Sequence, residues 1–511
     1  MNEEKAIILF DAITGIREEY IEAAARPCPK RHVTLTRASA LIAACICLFL
    51  AYSLTFGFPA FVNQLHLPSL VPGGSAGGGG GKDGAVYGFY AGPVLPLAAE
   101  DGTGLTAERS VDFDFSPFDP NRTETEGYLR FREYCAVTDR YLLSVPDGEE
   151  RTVTLLYPFV ASVAGNAALL PTVTVNGEAV ETELLIGPGG MERDMEKSLF
   201  SLNSWEDCKA LMAGDYTAEA LTPLPRLTDR VIVYELSEMW GEKSDTAPAP
   251  TLNMEFSMDY TKTAVLTLGF NGGSNDREAG RCERGVFIAE HGEAGYGRSV
   301  YLLVLGEDIR DLTLQGYVNG ACEVPMEAGG TVTRRESTLE ETLDRIWDGY
   351  RADYLSGTLA SLLDRETLPG LTAAWMLRYD AVEGSAVPYE QSGDWGLEDT
   401  LEQVLHQDRV MYLRFILTVP AGETAEVEAK LLKYPSVDFT GKERYRRGFD
   451  LATKLGSSIT FTKQEASLSG TEYIAILRQN FGFDLSSGVL QVTLDPAEEH
   501  WFLDVEAKKQ S

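Results

Sequence analysis

Residues 141–157 read YLLSVPDGEERTVTLLY, two β-rich runs on either side of a Pro-Asp-Gly turn. Residues 411–427 repeat this arrangement as MYLRFILTVPAGETAEV, with VPAGE in the place of VPDGE. In each copy a valine at a core position, Val153 or Val427, follows the motif four residues later. Short runs of β-branched and aromatic residues that end in Pro/Gly turns are typical of strands. The repeat therefore predicts a strand–turn–strand unit that the chain uses twice.

Strand signals with a two-residue period dominate the chain beyond residue 85. Residues 172–180, TVTVNGEAV, predict a hairpin, because Asn176-Gly177 supplies the two positive-φ positions of a type I′ turn. Further β-rich runs bounded by turns lie at residues 231–234, 264–270, 300–305 and 489–494. These signals predict a mainly β structure for most of the chain.

The repeated unit resembles the strand–turn–strand units of bacterial Ig-like β-sandwiches. Its two copies imply at least two sandwich units. We therefore expect a mainly β fold with two or more Ig-like β-sandwich units. They would occupy a β-rich region at residues 85–330 and a C-terminal sandwich region at residues 410–511.

A helical insert is predicted between these regions, at residues 331–409. Ser337-Thr338-Leu339-Glu340 matches a capping box at the start of a helix. The apolar stripe that follows has helical spacing, and it comprises Leu339, Leu343, Ile346, Trp347, Tyr350 and Tyr354, continued by Leu355, Leu359, Leu362 and Leu363. A shorter helix repeats the spacing with Leu397, Leu401, Val404 and Leu405. We expect these helices to cover a sheet.

A membrane span is predicted at residues 38–58, ASALIAACICLFLAYSLTFGF, within a stretch (38–81) that has no Asp, Glu, Lys or Arg. A helix of 21 residues rises about 31 Å, close to the hydrocarbon core of about 30 Å. Arg26, Lys30, Arg31 and Arg37 precede the span, so the positive-inside rule places residues 1–37 in the cytoplasm. The alternatives are a buried core helix and a cleaved signal peptide. The 37 residues that precede the apolar run are too many for the N-terminal region of a signal peptide.

Charge divides along the same boundary. The chain has 44 Lys+Arg and 77 Asp+Glu, a formal net charge of −33, which argues against nucleic acid as a partner. Residues 1–37 hold six acids and six bases, so the whole excess of acid lies beyond the span. A Pro/Gly-rich linker, residues 59–84, separates the span from the acidic ectodomain. We therefore expect a single-pass protein of the cell membrane whose bulk is extracytoplasmic.

The cytoplasmic segment is predicted to contain one amphipathic helix at residues 4–25. Leu9, Ile13, Ile16 and Tyr20 form an apolar stripe with acidic residues opposite. A single helix of this length is marginal alone in water, so it is expected to lie on the membrane or bind a partner. Its acidic polar face favours a partner, with a solvated tether as the alternative. The stripe is the candidate partner-binding site.

The run LFDAITGIREEYIEAAA (residues 9–25), a basic patch and an Ala/Cys/Leu-rich span together resemble a group of single-pass Firmicutes membrane proteins. These are often encoded beside extracytoplasmic-function sigma factors and are described as anti-sigma-factor-like. The resemblance covers about the first 58 residues. It implies that Leu9, Ile13, Ile16 and Tyr20 contact a sigma factor. The chain lacks the His-x3-Cys-x2-Cys motif of zinc-type anti-sigma domains, so no zinc site is expected there.

No catalytic motif can be identified in the sequence, and no enzymatic activity is expected. The five histidines show no metal-pair spacing. Asp112 and Asp114 alternate along a predicted strand with Asp119 nearby, which suggests a Ca²⁺ site against the alternative of a solvated acidic face. The four cysteines beyond the span could form two disulfides or remain free and buried, and they are Cys135, Cys208, Cys282 and Cys322.

Three functions are compatible with this organisation. The favoured one is a sensor or anti-sigma-like regulator that acts through its cytoplasmic helix. The alternative is a cell-surface binding or scaffolding protein for a wall or extracellular ligand. An extracytoplasmic hydrolase is less favoured, because a sandwich fold alone carries no activity.

Overall fold

The computed structural model describes residues 90–100, 104–119, 134–189, 204–212, 225–242, 244, 246–247, 249–276, 278–288, 300–353, 355–373, 397–437 and 446–508. The predicted cytoplasmic helix, membrane span and linker lie outside these residues. Within the described ranges, no helix combines the length and the apolar character that crossing a bilayer requires.

The described chain is mainly β-sheet, which confirms the predicted class. Its strands are β1 (Pro93–Val94), β2 (Ala98–Ala99), β3 (Thr106–Asp114), β4 (Cys135–Ser144), β5 (Arg151–Ala161), β6 (Thr172–Val175), β7 (Glu178–Ala179), β8 (Glu183–Gly189), β9 (Arg230–Gly241), β10 (Thr251–Ser257), β11 (Thr263–Leu268), β12 (Gly272–Asp276), β13 (Arg281–Phe287), β14 (Val300–Gly306), β15 (Arg310–Tyr317), β16 (Pro325–Met326), β17 (Ala328–Thr338), β18 (Arg409–Val419), β19 (Thr424–Lys433), β20 (Ser436–Val437), β21 (Arg447–Ala452), β22 (Thr460–Ser469), β23 (Ile474–Gln479), β24 (Gln491–Thr493) and β25 (His500–Ala507). Its labelled helices are α1 (Trp205–Met212), α2 (Leu339–Asp353) and α3 (Leu397–His406), with a further helical segment at 367–373.

These strands form five sheets within the described residues. Sheet I has the order β24-β22-β3-β4-β19-β6-β7, and sheet II the order β2-β5-β18-β8. Sheet III has the order β1-β21-β25-β23, with β20 also paired to β21. Sheet IV (β11-β14-β9-β17) and sheet V (β12-β13-β10-β15-β16) come from one continuous part of the chain.

One face of sheet I packs against sheets II and III side by side. Alternate residues of β3 face this core because a strand has a two-residue period. Ala107 joins a cluster with the apolar side chains of sheet II. Val111 and Phe113 join another with Phe449 and Leu451 of sheet III. The core under sheet I therefore has two halves, one formed with sheet II and the other with sheet III, and sheet I contributes to both.

The two copies of the repeated motif lie in the same sandwich, which corrects the inference that each marks a unit of its own. VPDGE joins β4 to β5 and VPAGE joins β18 to β19, so each turn passes between sheets I and II. Strand β4 pairs with β19, and β5 pairs with β18. Gly148 and Gly422 have φ of 72° and 70°, the conformation for which these turns select glycine.

Strands from residues 410–511 also pair with strands from the region 85–330. Strand β22 runs parallel to β3 over nine registered pairs, in addition to the β5–β18 and β4–β19 ladders. The C-terminal region is thus built into the same sheets as the first strands. A second sandwich, sheets IV and V, is inserted between them as residues 230–338.

The helices of the predicted insert cover sheet IV, as expected. Residues 231–234 of strand β9 are buried on both faces, with Ile232 in the core between sheets IV and V. Val231 and Val233 point the other way and pack in one cluster with Leu343, Trp347 and Leu401 of the helices. The cluster continues into sheets I and II. The helices therefore fill the space between the inserted sandwich and the rest of the molecule.

Two details of the helical prediction are wrong. The N-cap is Thr338 rather than Ser337, because the backbone NH of Glu341 donates to Thr338 Oγ1 at 3.2 Å. The stripe also does not continue as one helix to Leu363. Helix α2 ends at Asp353, and Gly357 then takes a φ of 76°. The predicted hairpin is confirmed, with Asn176 and Gly177 at φ of 50° and 82°.

Candidate functional site: a buried strap at residues 90–99

A buried ion pair lies where sheets II and III meet over sheet I. Arg109 Nε and Nη2 donate to the two carboxylate oxygens of Asp139 at 2.9 and 2.8 Å. Arg109 also donates to the carbonyls of Ala452 and Leu95. Burial lowers the pKa of Arg109, but the charge of Asp139, its hydrogen bonds and the neighbouring Tyr141 and Tyr157 together outweigh this effect and raise the pKa overall. Arg109 thus supplies donors to backbone carbonyls at the boundary of the two sheets.

The segment 90–99, YAGPVLPLAA, which we call the strap, crosses this boundary. Strand β1 pairs with β21 in sheet III, and β2 pairs with β5 in sheet II. All ten residues are buried. Gly92 has a φ of 70°, and a Cβ there would lie 2.5 Å from Val160 Cγ2, so the close approach requires glycine. The strap therefore links sheet II to sheet III through a segment that is itself buried.

Side chains supply much of the hydrogen bonding of the strap. Pro93 and Pro96 have no backbone NH, and each strand of the strap pairs over only two residues. Buried carbonyls and NH groups still need partners. Those partners come from Lys433 and Ser436 at Ala91, Arg109 at Leu95, Tyr141 and Ser457 at Leu97, and Ser458 at Ala99.

The first residues of the strap are held by a group that we call the clamp, namely Tyr90, Lys433, Asp450 and His500. Asp450 is 2% exposed, and its Oδ2 accepts from Tyr90 OH at 2.8 Å. The same oxygen lies 2.9 Å from His500 Nε2, which must carry the proton if it is to donate to the carboxylate. Asp450 Oδ1 is buried and has no hydrogen-bond partner among the described residues. The clamp thus joins the strap to two strands of sheet III.

Lys433 holds the carbonyl of Ala91 from the end of β19. Its burial lowers the pKa of the ammonium group to about 8, while the negative charge of Asp450 acts in the opposite direction. The amine is therefore a buried group whose charge changes at mildly alkaline pH. This makes Lys433 the titratable member of the clamp for which a pH effect can be tested.

Helix α1 covers the clamp and the outer face of sheet II. Cys208 is fully buried and shares an apolar cluster with Tyr90 and Tyr412. Trp205 stacks on the ring of His500, with centroids 4.5 Å apart and an interplanar angle of 4°. Burial raises the pKa of the Cys208 thiol to about 12, although Lys433 acts in the opposite direction. The thiol is therefore unreactive while the helix is docked.

The predicted calcium ligands lie on β3 and just after it, but the chain itself occupies their oxygens. Asp112 accepts from the hydroxyls of Ser467 and Ser469 at 2.6 and 2.8 Å. Asp114 Oδ1 accepts from the NH and hydroxyl of Ser116. Tyr473 OH lies 3.4 Å from Asp119 Oδ2. Within the described ranges no group of three or more His, Cys, Asp or Glu residues is placed to hold a metal ion. The calcium site stays a prediction.

The remaining predicted residues have mixed outcomes. The partner-binding stripe of Leu9, Ile13, Ile16 and Tyr20 lies outside the described residues. The four cysteines beyond the predicted span are free thiols, three of them buried and Cys322 partly exposed. This resolves the choice between disulfides and free cysteines in favour of the latter. No family model matches the sequence, and comparison with curated proteins found no similar one.

Sequence reasoning missed the clamp because its members lie far apart along the chain. Tyr90 and Asp450 are separated by 360 positions. One local signal was present: Asp450 interrupts the apolar run Gly448-Phe449-Asp450-Leu451-Ala452. A carboxylate in such a run is a candidate for a buried, paired charge. The partner of that charge could not be read from the sequence.

Proposed function

We propose that this chain is a single-pass membrane sensor whose acidic ectodomain regulates a cytoplasmic partner, with a sigma factor as the candidate partner. The observation that carries the proposal is the complete burial of the strap. The strap begins at residue 90, and five residues (85–89) separate it from the end of the predicted linker at residue 84. The part of the chain expected to lead to the membrane is thus part of the ectodomain core, where a change in sheets II and III would act on it.

Release of the strap would lengthen the tether between the ectodomain and the membrane. Ten residues span about 33 Å when fully extended, comparable to the thickness of the bilayer core. A surface binding module needs no such arrangement, since a flexible linker alone would serve as its attachment. The buried strap therefore favours a regulatory role over simple display of a binding domain.

At the cytoplasmic end, the proposal assigns the stripe of Leu9, Ile13, Ile16 and Tyr20 to the partner. An amphipathic helix binds a groove through anchors at such spacing. The acidic face opposite the stripe would stay in solvent. Because the segment lacks the zinc-binding motif of zinc-type anti-sigma domains, we expect folding of this helix to depend on the partner itself.

We also assign the sandwiches to the Ig-like type. The supporting feature is the pair of inter-sheet turns, VPDGE and VPAGE, which pass between facing sheets as the connections of Ig-like sandwiches do. Sheet I exceeds a simple two-sheet unit, because it also covers sheet III. The assignment is therefore of the strand–turn–strand units and not of a complete Ig domain.

The experiment is site-specific photo-crosslinking of the full chain in cells of its source organism. A photo-reactive residue is placed at Ile13 within the stripe, and a matched control at Glu18 on the opposite helix face. The proposal expects a crosslink to a sigma factor from position 13 and none from position 18. Crosslinks to lipid alone, or equal labelling from both positions, would contradict it.

A further inference from the structure

Helix α1 is connected to the strap by an unbroken series of contacts. Trp205 stacks on His500, His500 Nε2 lies 2.9 Å from Asp450 Oδ2, and the same oxygen accepts from Tyr90 OH. Cys208 adds a second connection, because it packs in the cluster that contains Tyr90. The helix thus contacts His500, which lies beside the aspartate that binds Tyr90, and it packs in the apolar cluster that contains Tyr90 itself.

The attachment of helix α1 is weak by the standards of this molecule. The helix has eight residues, too few to be stable without tertiary packing. Cys208 is its one fully buried residue. Its ion pair, Lys209 with Glu499, is about half exposed at both ends and contributes little. Trp205, Leu211 and Met212 pack against the apolar cluster that contains Cys208 while only partly buried. The Sδ of Met212 lies 3.7 Å from Tyr412 OH, and Gly456 leaves room for its methyl group.

By contrast, the strands beneath it belong to extended ladders. Strand β18 pairs with β5 along its full length, and β21 pairs with β25 over six registered pairs. Elements with few buried contacts open at lower free energy than such ladders. Local opening of this part of the structure is therefore expected to begin at helix α1.

We propose that helix α1 is a latch for the strap, so that undocking of the helix loosens the hold of Asp450 and His500 on Tyr90. With the helix docked, Trp205 fixes the His500 ring against Asp450 and the strap stays clamped. With the helix undocked, His500 loses its stacking partner and Tyr90 loses the apolar cover that Cys208 provides. The latch rests on the proposed function only for its biological purpose, which is to control the strap.

Cys208 gives the latch a direct readout. Its thiol is fully buried, and its pKa is raised to about 12, so labelling by a maleimide requires the helix to undock. Cys135 and Cys282 are buried in two other clusters and report global opening. Cys322, which is partly exposed, serves as the reactive reference. The four thiols thus separate local undocking from unfolding within one sample.

The experiment uses the purified full chain in detergent, with maleimide labelling resolved by peptide mass spectrometry and hydrogen exchange measured at residues 90–99. Trp205→Ala is expected to speed Cys208 labelling about tenfold, because an aromatic stacking contact is lost. It should also speed exchange in the strap. The matched control is Trp240→Ala, a tryptophan that is 52% exposed on β9. It should change neither rate.

Coupling between two sites is reciprocal, so a second test perturbs the strap and measures the effect on helix α1. Tyr90→Phe removes one hydroxyl from the strap end of the series and should speed Cys208 labelling severalfold. Met212→Ala loosens the helix without touching His500 and replaces Trp205→Ala if that variant also exposes Cys135 and Cys282. Faster Cys208 labelling with unchanged strap exchange would overturn the latch, as would unchanged Cys208 labelling in Tyr90→Phe.

The result of the latch experiment does not depend on the cytoplasmic partner. The assay contains no sigma factor, so a failed crosslink at Ile13 leaves the latch untouched. Failure of the latch in turn leaves the cytoplasmic proposal standing, with a different trigger for the strap.

Discussion

Arg109 and Asp139 illustrate at the residue scale how the two halves of the core are joined. Both side chains are completely buried, and each of the three guanidinium nitrogens of Arg109 donates to Asp139 or to a backbone carbonyl. A buried pair of this kind contributes little net stability compared with an apolar core, but loss of one partner leaves an uncompensated charge. The pair is therefore a sensitive point of the fold.

The first prediction follows from that asymmetry. Asp139→Ala should lower the free energy of unfolding by about 3–5 kcal/mol, because Arg109 remains buried without its counter-ion. Urea denaturation followed by tryptophan fluorescence measures the change. Glu428→Ala is the matched control, since it breaks the partly exposed pairs with Arg140 and Lys430 and should cost about 1 kcal/mol or less. Equal losses in the two variants would refute this account of the boundary.

The second prediction concerns Lys433, whose pKa is lowered from 10.5 to about 8 by burial. Between these pH values the unfolded state binds more protons than the folded state, so stability should rise with pH. Relative to Lys433→Met, the wild type should gain about 3 kcal/mol of unfolding free energy from about pH 8 to 10.5. Taking the difference removes the opposing contributions of buried cysteines and tyrosines.

Denaturation of both proteins across this pH range provides the measurement. Lys430→Met on the same strand is the control, because Lys430 is 60% exposed and pairs with Glu428 at the surface. Its profile should run parallel to that of the wild type. A parallel profile for Lys433→Met as well would show that Lys433 is not buried as a charged group.

At the scale of elements, the start of helix α2 is where the sequence-based prediction and the structure differ, because they place the N-cap at different residues. The Ser337-Thr338 pair offers two candidate caps one residue apart, and capping preferences do not distinguish serine from threonine well enough to choose. The end of β17 makes the choice, because that strand pairs with β9 through Thr338. Tertiary pairing thus sets the boundary to within one residue.

The third prediction tests this boundary. Thr338→Ala should lower stability by about 1 kcal/mol, because the Glu341 NH loses its acceptor at the first turn. Ser337→Ala is the paired control and should cost less, since its hydroxyl bonds the Glu341 side chain rather than a helix NH. Thermal unfolding of the two variants, monitored by circular dichroism, gives the comparison. A larger loss for Ser337→Ala would restore the cap predicted from the sequence.

Local patterns predicted the elements well and their partners poorly. The hairpin at Asn176-Gly177 and the strand at 411–419 follow from turn chemistry and β propensity. The pairing of β3 with β22 joins residues more than 350 positions apart, which no local pattern can indicate. The clamp at Asp450 depends on such distant pairings, so it became visible only in the folded chain.

At the scale of the whole molecule, the strap makes the first described residues part of both halves of the core. The fourth prediction is that a chain beginning at residue 104 should be several kcal/mol less stable than one beginning at residue 85. Without the strap, Arg109, Lys433 and Tyr141 lose buried partners. Urea midpoints of the two chains measure the effect. Equal midpoints would mean that the strap is an appendage.

The most direct test of the strap is native-state hydrogen exchange on the full chain. The amide of Leu97 donates to Tyr141 OH, and that of Ala99 to Ser458 Oγ, both inside the fold. We predict that these amides exchange at least about a thousandfold more slowly than unprotected ones, close to the protection of β4. Exchange of the strap at the unprotected rate, while β4 stays protected, would contradict the central claim.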